Sequence, residues 1–253
     1  MRRNGDTLTA EELLVSNRLR VMRLSRMADA FEKQVLDPNS DLSPFMDRFS
    51  RIVSEEWDAR YNRKFNKLLR QAKLRYPTAD LDETIYEPER LLDTAAIESL
   101  STCEWIDEGR NLLISGKSSS GKTYLANAIS VAALRRFKTV RYIKASRLMS
   151  ELEQARIKDA YMESVDRFSK YDLLVIDDFG LMILDPDMCR DMFEVIDSRD
   201  GHRSTIVISQ LPIASWFDLF SESTYADACL TRLTDRRNSY RLEMNGKDMR
   251  EPS

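Results

Sequence analysis

The chain has 253 residues, 42% hydrophobic and 32% charged, with a net charge of −3. This allows one large domain or two smaller ones with a real core, and it argues against a uniformly basic nucleic-acid binder. Seven glycines and seven prolines exclude long low-complexity tracts, and neither a signal peptide at Met1-Arg2-Arg3-Asn4-Gly5-Asp6 nor an apolar membrane-length run is present.

Residues 1–76 are expected to form a small all-helical N-terminal domain. Thr9 and Glu12 fit a capping box before Leu13, Leu14 and a helical run to Phe31. Pro38-Asn39-Ser40 breaks the pattern, and Ser43-Pro44 opens a second helix containing Phe45, Phe49, Ile52 and Val53. A third helix is expected from about Glu55 to Tyr76, where Pro77 ends it. Trp57, Tyr61, Phe65, Leu68, Leu69 and Ala72 recur on it at helical spacing, which reads as core. Arg60, Arg63, Lys64, Lys67 and Arg70 fill much of the remainder. This segment carries a net +5, against −8 for residues 77–253, an asymmetry that suits a polyanionic or acidic partner and equally a solvated basic helix face.

Residues 77–95 are acidic and irregular and read as a linker. Residues 96–253 alternate short apolar strands with amphipathic helices, the pattern of an α/β domain whose parallel sheet is flanked by helices. The expected strands are Asn111–Ser115, Thr139–Lys144, Leu173–Asp177, Ser204–Ser209 and Ser239–Met244. The expected helices between them are Tyr124–Arg136, Ser146–Ala160 and Met188–Arg199. Cys103, Cys189 and Cys229 are distant, odd in number and without C-x-x-C spacing, so a reducing, cytoplasmic setting is expected.

Gly116-Lys117-Ser118-Ser119-Ser120-Gly121-Lys122-Thr123 matches G-x-x-x-x-G-K-[ST] between an expected strand and an expected helix, the context of a phosphate-binding loop. Lys122 would reach the β- and γ-phosphates of a nucleotide, Thr123 would ligate Mg²⁺, and Gly121 would admit close backbone approach. Asp177-Asp178 follow the apolar strand Leu173–Ile176, where ligands bind in parallel sheets. One carboxylate would hold Mg²⁺ and the next orient or deprotonate water; the alternative is a plain loop cap before Gly180. Gln210, ending the strand from Ser204, would hydrogen-bond γ-phosphate or water, or would be a strand end without a ligand. His202, the sole histidine, reads as an exposed loop residue.

With these strand ends in place, the chain resembles the IstB-like transposition helper ATPases, of the initiator and helicase-loader branch of AAA+ P-loop NTPases. The resemblance runs from Arg18-Leu19-Arg20 to Gly246-Lys247-Asp248-Met249-Arg250. It is carried most specifically by Leu174-Val175-Ile176-Asp177-Asp178-Phe179-Gly180, by Arg203–Pro212 and by Ala226-Asp227-Ala228-Cys229-Leu230-Thr231-Arg232-Leu233. It implies ATP and Mg²⁺ as cofactors, Lys122 and Thr123 as the Walker A pair, Asp177 with Asp178 as Walker B, and Gln210 as sensor 1. Arg232 falls at the position of an arginine finger acting on a neighbouring subunit's ATP, the competing reading being a surface ion pair, and Arg250 at a sensor-2-like position.

The resemblance further implies an ATP-dependent homo-oligomer on double-stranded DNA that assists a transposase in target selection. A DnaC-like helicase loader is the alternative, and a scaffold with little hydrolysis a third possibility. DNA contacts would come from the Arg60–Arg70 stripe and from Arg135, Arg136, Lys138, Arg141 and Lys144, either of which also fits a solvated face. Two departures from the family pattern stand out: serines at 118–120 in place of glycine or proline, and aspartate rather than glutamate at 178.

Overall fold

A computed structural model describes residues 7–83 and 94–244, and the chain divides into two compact units between Asn66 and Lys67. The expected linker 77–95 falls mostly outside the described residues, as do Arg250 and the segment around it.

The first unit holds helices α1 (Ala10–Val21) and α2 (Ser25–Leu36) and most of α3 (Phe45–Ala72). The capping box forms: Glu12 N–H donates to Thr9 Oγ1 at 3.4 Å, and Thr9 N–H to Glu12 Oε2 at 2.8 Å. The run expected to reach Phe31 breaks at Met22–Leu24 without proline or glycine. Arg23 takes a left-handed φ of 62°, and Leu24 N–H bonds back to Leu19 O, closing off α1's last carbonyls. No side chain from its own start caps α2. Glu56 of α3 does it instead, accepting the N–H groups of Arg26 and Met27 at 2.9 and 3.2 Å. The two helices expected on either side of residue 54 are one, because nothing at Ser54-Glu55 interrupts backbone hydrogen bonding. Trp57, expected in the core, is 67% exposed.

The second unit is built on a five-stranded sheet in the order β2-β3-β4-β1-β5, every pairing parallel. The strands are β1 (Asn111–Gly116), β2 (Val140–Lys144), β3 (Leu173–Phe179), β4 (Ser204–Ser209) and β5 (Ser239–Met244). All five lie where the apolar runs placed them. The runs in β1, β3 and β4 are continuous rather than alternating because both faces of these inner strands are covered: Leu112–Ile114, Leu173–Ile176 and Ile206–Ile208 are at most 1% exposed. Two short helices, α4 (Thr94–Ser101) and α5 (Glu104–Asp107), lead into β1, and α6 (Lys122–Arg135) follows it. The helix expected at Ser146–Ala160 is α7 (Ala145–Ile157), and a further helix that was not expected, α8 (Tyr161–Ser169), follows it with Asp159 at φ 54° between them. Helices α9 (Pro186–Asp197) and α10 (Ser223–Thr234) flank β4 in sequence. The three cysteines are buried free thiols. Among the described residues no helix is long and apolar enough to cross a membrane.

Candidate functional site

The loop between β1 and α6 is shaped by three residues at positive φ: Gly116 (141°), Ser119 (63°) and Gly121 (86°). Ser119 adopts without glycine the left-handed conformation that the serine-rich interior had left open. Gly121 then serves as N-cap of α6, so the loop feeds its backbone directly into a helix N-terminus, where N–H groups and dipole favour anions. Lys122 folds back over this loop. It is 6% exposed, and its ammonium donates to Gly116 O at 2.7 Å, to Lys117 O and to Ser120 Oγ at 3.4 Å. Burial lowers its pKa, and the charges of Asp177 and Asp178 pull in the opposite direction. The lysine is thus held by neutral acceptors that a bound phosphate would outcompete.

Across β4 from the loop, β3 ends in a bulge: its register with β4 shifts between Ile176 and Phe179, and Asp178 takes a φ of 57°. A bulge of this kind re-aims successive side chains. Asp177 turns inward, 1% exposed, where its Oδ2 accepts from Thr123 Oγ1 at 3.0 Å and from Tyr142 OH at 2.6 Å. Its Oδ1 accepts the Asp178 N–H at 2.7 Å. Asp178 itself is half-buried and meets Lys144 Nζ at 2.6 Å. Walker A and Walker B candidates that lie 54 residues apart in the chain are therefore joined by one hydrogen bond.

Two members of this cluster were not assigned to it from the sequence. Tyr142 looked like a strand residue, although an aromatic hydroxyl beside an acid-bearing strand end was the available signal. Burial, and then its bond to Asp177, hold the Tyr142 pKa far above the ordinary tyrosine value. Lys144, grouped with candidate DNA contacts, stands at the end of β2 and meets Asp178 there.

Gln210 is exposed just past β4, where Ser209 Oγ donates to Phe179 O at 2.6 Å and ties the ends of β3 and β4 together. Arg232 is not in this cluster. Its Nη2 lies 2.6 Å from Asp197 Oδ1, its guanidinium carbon sits 4.9 Å from the Phe193 ring centroid, and its carbonyl accepts from Asn111 Nδ2 at 3.2 Å. Asn111 begins β1 and the phosphate loop follows its end, so roughly 17 Å of strand separates the two places.

The candidate basic residues differ in their immediate surroundings. Arg63, Lys64, Lys67 and Arg70 are exposed along α3, while Arg60 is engaged with Glu56 at 2.6 Å. Arg135 pairs with Asp80 at 2.8 Å, Lys138 pairs with Asp107, and Arg136 is exposed. Arg141, 7% exposed, lies 3.4 Å from Glu151.

Residues 17–252 match the family of IstB-like ATP binding proteins. The chain is 35% identical over 234 residues to the insertion sequence ATP-binding protein y4pL of Sinorhizobium fredii, covering 92% of this chain and 94% of that one. It is also 35% identical over 196 residues to the insertion sequence IS1162 ATP-binding protein of Pseudomonas fluorescens, covering 78% and 85%. Among solved structures, the DnaC helicase loader superposes with a TM-score of 0.57 at 20% identity, over 68% of this chain and 99% of that one. DnaA from Aquifex aeolicus bound to AMPPCP gives 0.52 at 17% identity, over 66% and 50%. At such identities the likeness concerns the fold alone.

Proposed function

The chain belongs to the IstB-like ATP-binding protein family, and from that premise we propose that it hydrolyses ATP as a helper which assembles on double-stranded DNA and assists an insertion-sequence transposase. The observation that carries the ATPase reading is the 3.0 Å bond from Thr123 to Asp177, which couples the phosphate loop to the acid at the end of β3. The transposase and DNA parts rest on relatives named for insertion sequences. The DnaC likeness at 20% identity gives the helicase-loader reading a shared fold and nothing more.

The residues fit a hard divalent cation, since a hydroxyl and a carboxylate oxygen already converge at Thr123 and Asp177. Those two would hold Mg²⁺, which when bound neutralises charge on the phosphate oxygens. Lys122 exchanges its three loop acceptors for the β- and γ-phosphates. Asp178 leaves Lys144 and accepts a hydrogen bond from the attacking water, with Gln210 orienting that water or the γ-phosphate. Arg232 is a strand length from its own loop and completes the site of a neighbouring subunit, where it stabilises charge developing on the transferred phosphoryl group. This arrangement makes ATP binding the trigger for self-association.

The test is ATP turnover and assembly measured with and without duplex DNA, followed by target integration with the cognate transposase. Absence of ATP turnover with and without DNA, or assembly that is indifferent to both ATP and DNA, would sink the proposal.

A further inference from the structure

A second charged site lies at the other end of β2. A cleft of about 680 Å³ opens between the end of α3, the start of β2 and helices α7 and α8. Its charged lining is Lys73, Arg141, Lys158 and Arg167 against one acid, Glu151. That acid is already shared: its Oε1 faces Arg141 Nη2 at 3.4 Å and Arg147 Nε at 3.3 Å, and its Oε2 accepts from Arg167 Nη2 at 3.2 Å. One negative charge serving three guanidiniums leaves the cluster strongly positive.

Arg141 is the telling member. Its side chain is only 9% exposed, yet the long bond to Glu151 is its one hydrogen bond among the described residues. Its Nε and Nη1 donors are not sealed in the interior and stay open to a ligand in the cleft. A guanidinium at a cleft wall with one long hydrogen bond has donors left for the oxygens of an anion. Its planar fork matches a tetrahedral oxyanion two bonds at a time.

We propose that this cleft is a second oxyanion site, separate from the phosphate loop, which takes one phosphate group on Arg141, with Arg167, Lys158 and Lys73 around it. It does not depend on the ATPase reading, because Thr139–Arg141 begin the strand whose far end carries Lys144 and the nucleotide cluster. The phosphate reaches it either as a free di- or polyphosphate or as part of a nucleic-acid backbone.

The experiment uses pyrophosphate as probe, read by the shift in thermal unfolding midpoint of the full chain. Lys122→Ala removes the lysine of the phosphate loop and is expected to keep the shift. Arg167→Ala, at a half-exposed position that folding tolerates, and Arg141→Gln are each expected to weaken pyrophosphate binding about tenfold. Glu151→Gln removes the competing carboxylate and is expected to tighten binding about tenfold, a gain that misfolding cannot imitate. A shift lost in Lys122→Ala but retained in Arg141→Gln and Arg167→Ala overturns the proposal, as does weaker binding by Glu151→Gln. A parallel titration with a short DNA duplex separates the sources. Loss of duplex affinity in Arg167→Ala assigns the phosphate to a nucleic-acid backbone; unchanged duplex affinity assigns it to a free anion, and both support the site.

Discussion

Arg232 Nη2 lies 2.6 Å from Asp197 Oδ1, an ion pair formed within one subunit by the residue proposed to act on the next. Both side chains are partly exposed, at 29% and 45%, so the pair contributes no more than about 1 kcal/mol to stability. Its consequence is competition, because the guanidinium must leave Asp197 and the Phe193 ring before it reaches a neighbour's γ-phosphate. Asp197→Asn is therefore expected to leave the melting temperature nearly unchanged and to raise DNA-stimulated turnover a few-fold. Arg232→Ala is expected to keep ATP binding and to lower turnover at least a hundredfold. Steady-state ATPase assays beside nucleotide-binding titrations check both, and full turnover by Arg232→Ala would place that residue outside the reaction.

Tyr142 gives the second prediction. Its hydroxyl and that of Thr123 donate to the same Asp177 oxygen, so Tyr142 fixes the carboxylate rotamer that faces the phosphate loop. Groups that orient a metal-holding carboxylate typically change metal affinity 10–100-fold when removed. Tyr142→Phe keeps the ring and deletes one donor. The Mg²⁺ concentration for half-maximal binding of an ATP analogue should rise about tenfold, with little change in Mg²⁺-free nucleotide binding. An unshifted Mg²⁺ titration would leave Tyr142 a packing residue only.

Lys122 supplies a third. Its ammonium is buried against two carbonyls and a hydroxyl, and burial already lowers its pKa. Lys122→Ala removes a desolvated charge, so the nucleotide-free protein should melt within a few degrees of the parent. Equilibrium binding of ATP and ATP-driven assembly, followed by sedimentation, should both disappear. Assembly with ATP in this variant would detach self-association from the phosphate loop.

The inner strands were legible because each is an apolar run longer than chance and closed by a polar end: Leu173–Ile176 before Asp177, Ile206–Ile208 before Ser209. The strand–loop–helix around Gly116–Thr123 and the place of Asp177-Asp178 at the end of β3 were legible because the motifs have fixed residue types at fixed spacing. The helix break at Met22–Leu24 was not, since the left-handed turn at Arg23 uses a residue with no breaker signature. Pairwise relationships were equally invisible. Nothing local says that Glu56 caps α2, or that Lys144 meets Asp178. Nor does local sequence say that Arg199 is buried at 1% exposure, donating to the carbonyls of Phe168, Tyr171 and Ser204. Such contacts depend on which strand ends the topology brings together.

The last prediction concerns Gly116, which ends β1 and begins the phosphate loop. It pairs with Met244 of β5, and a Cβ at Gly116 would stand 1.9 Å from the Met244 carbonyl oxygen. Backbone atoms cannot yield as a flexible side chain can, so an added methyl must push β5 off β1 or distort the loop. The φ of 141° adds strain for any residue other than glycine. Gly116→Ala should therefore lose at least about 2 kcal/mol of stability and nucleotide binding with it. Gly201→Ala is the control: φ is 68°, but nothing lies within 4 Å of the added Cβ, so only the conformational cost of about 1 kcal/mol remains. Denaturant unfolding of both variants separates the two contributions. Equal losses would mean that β5 gives way without cost and that the close approach to Met244 is not what keeps glycine at this position.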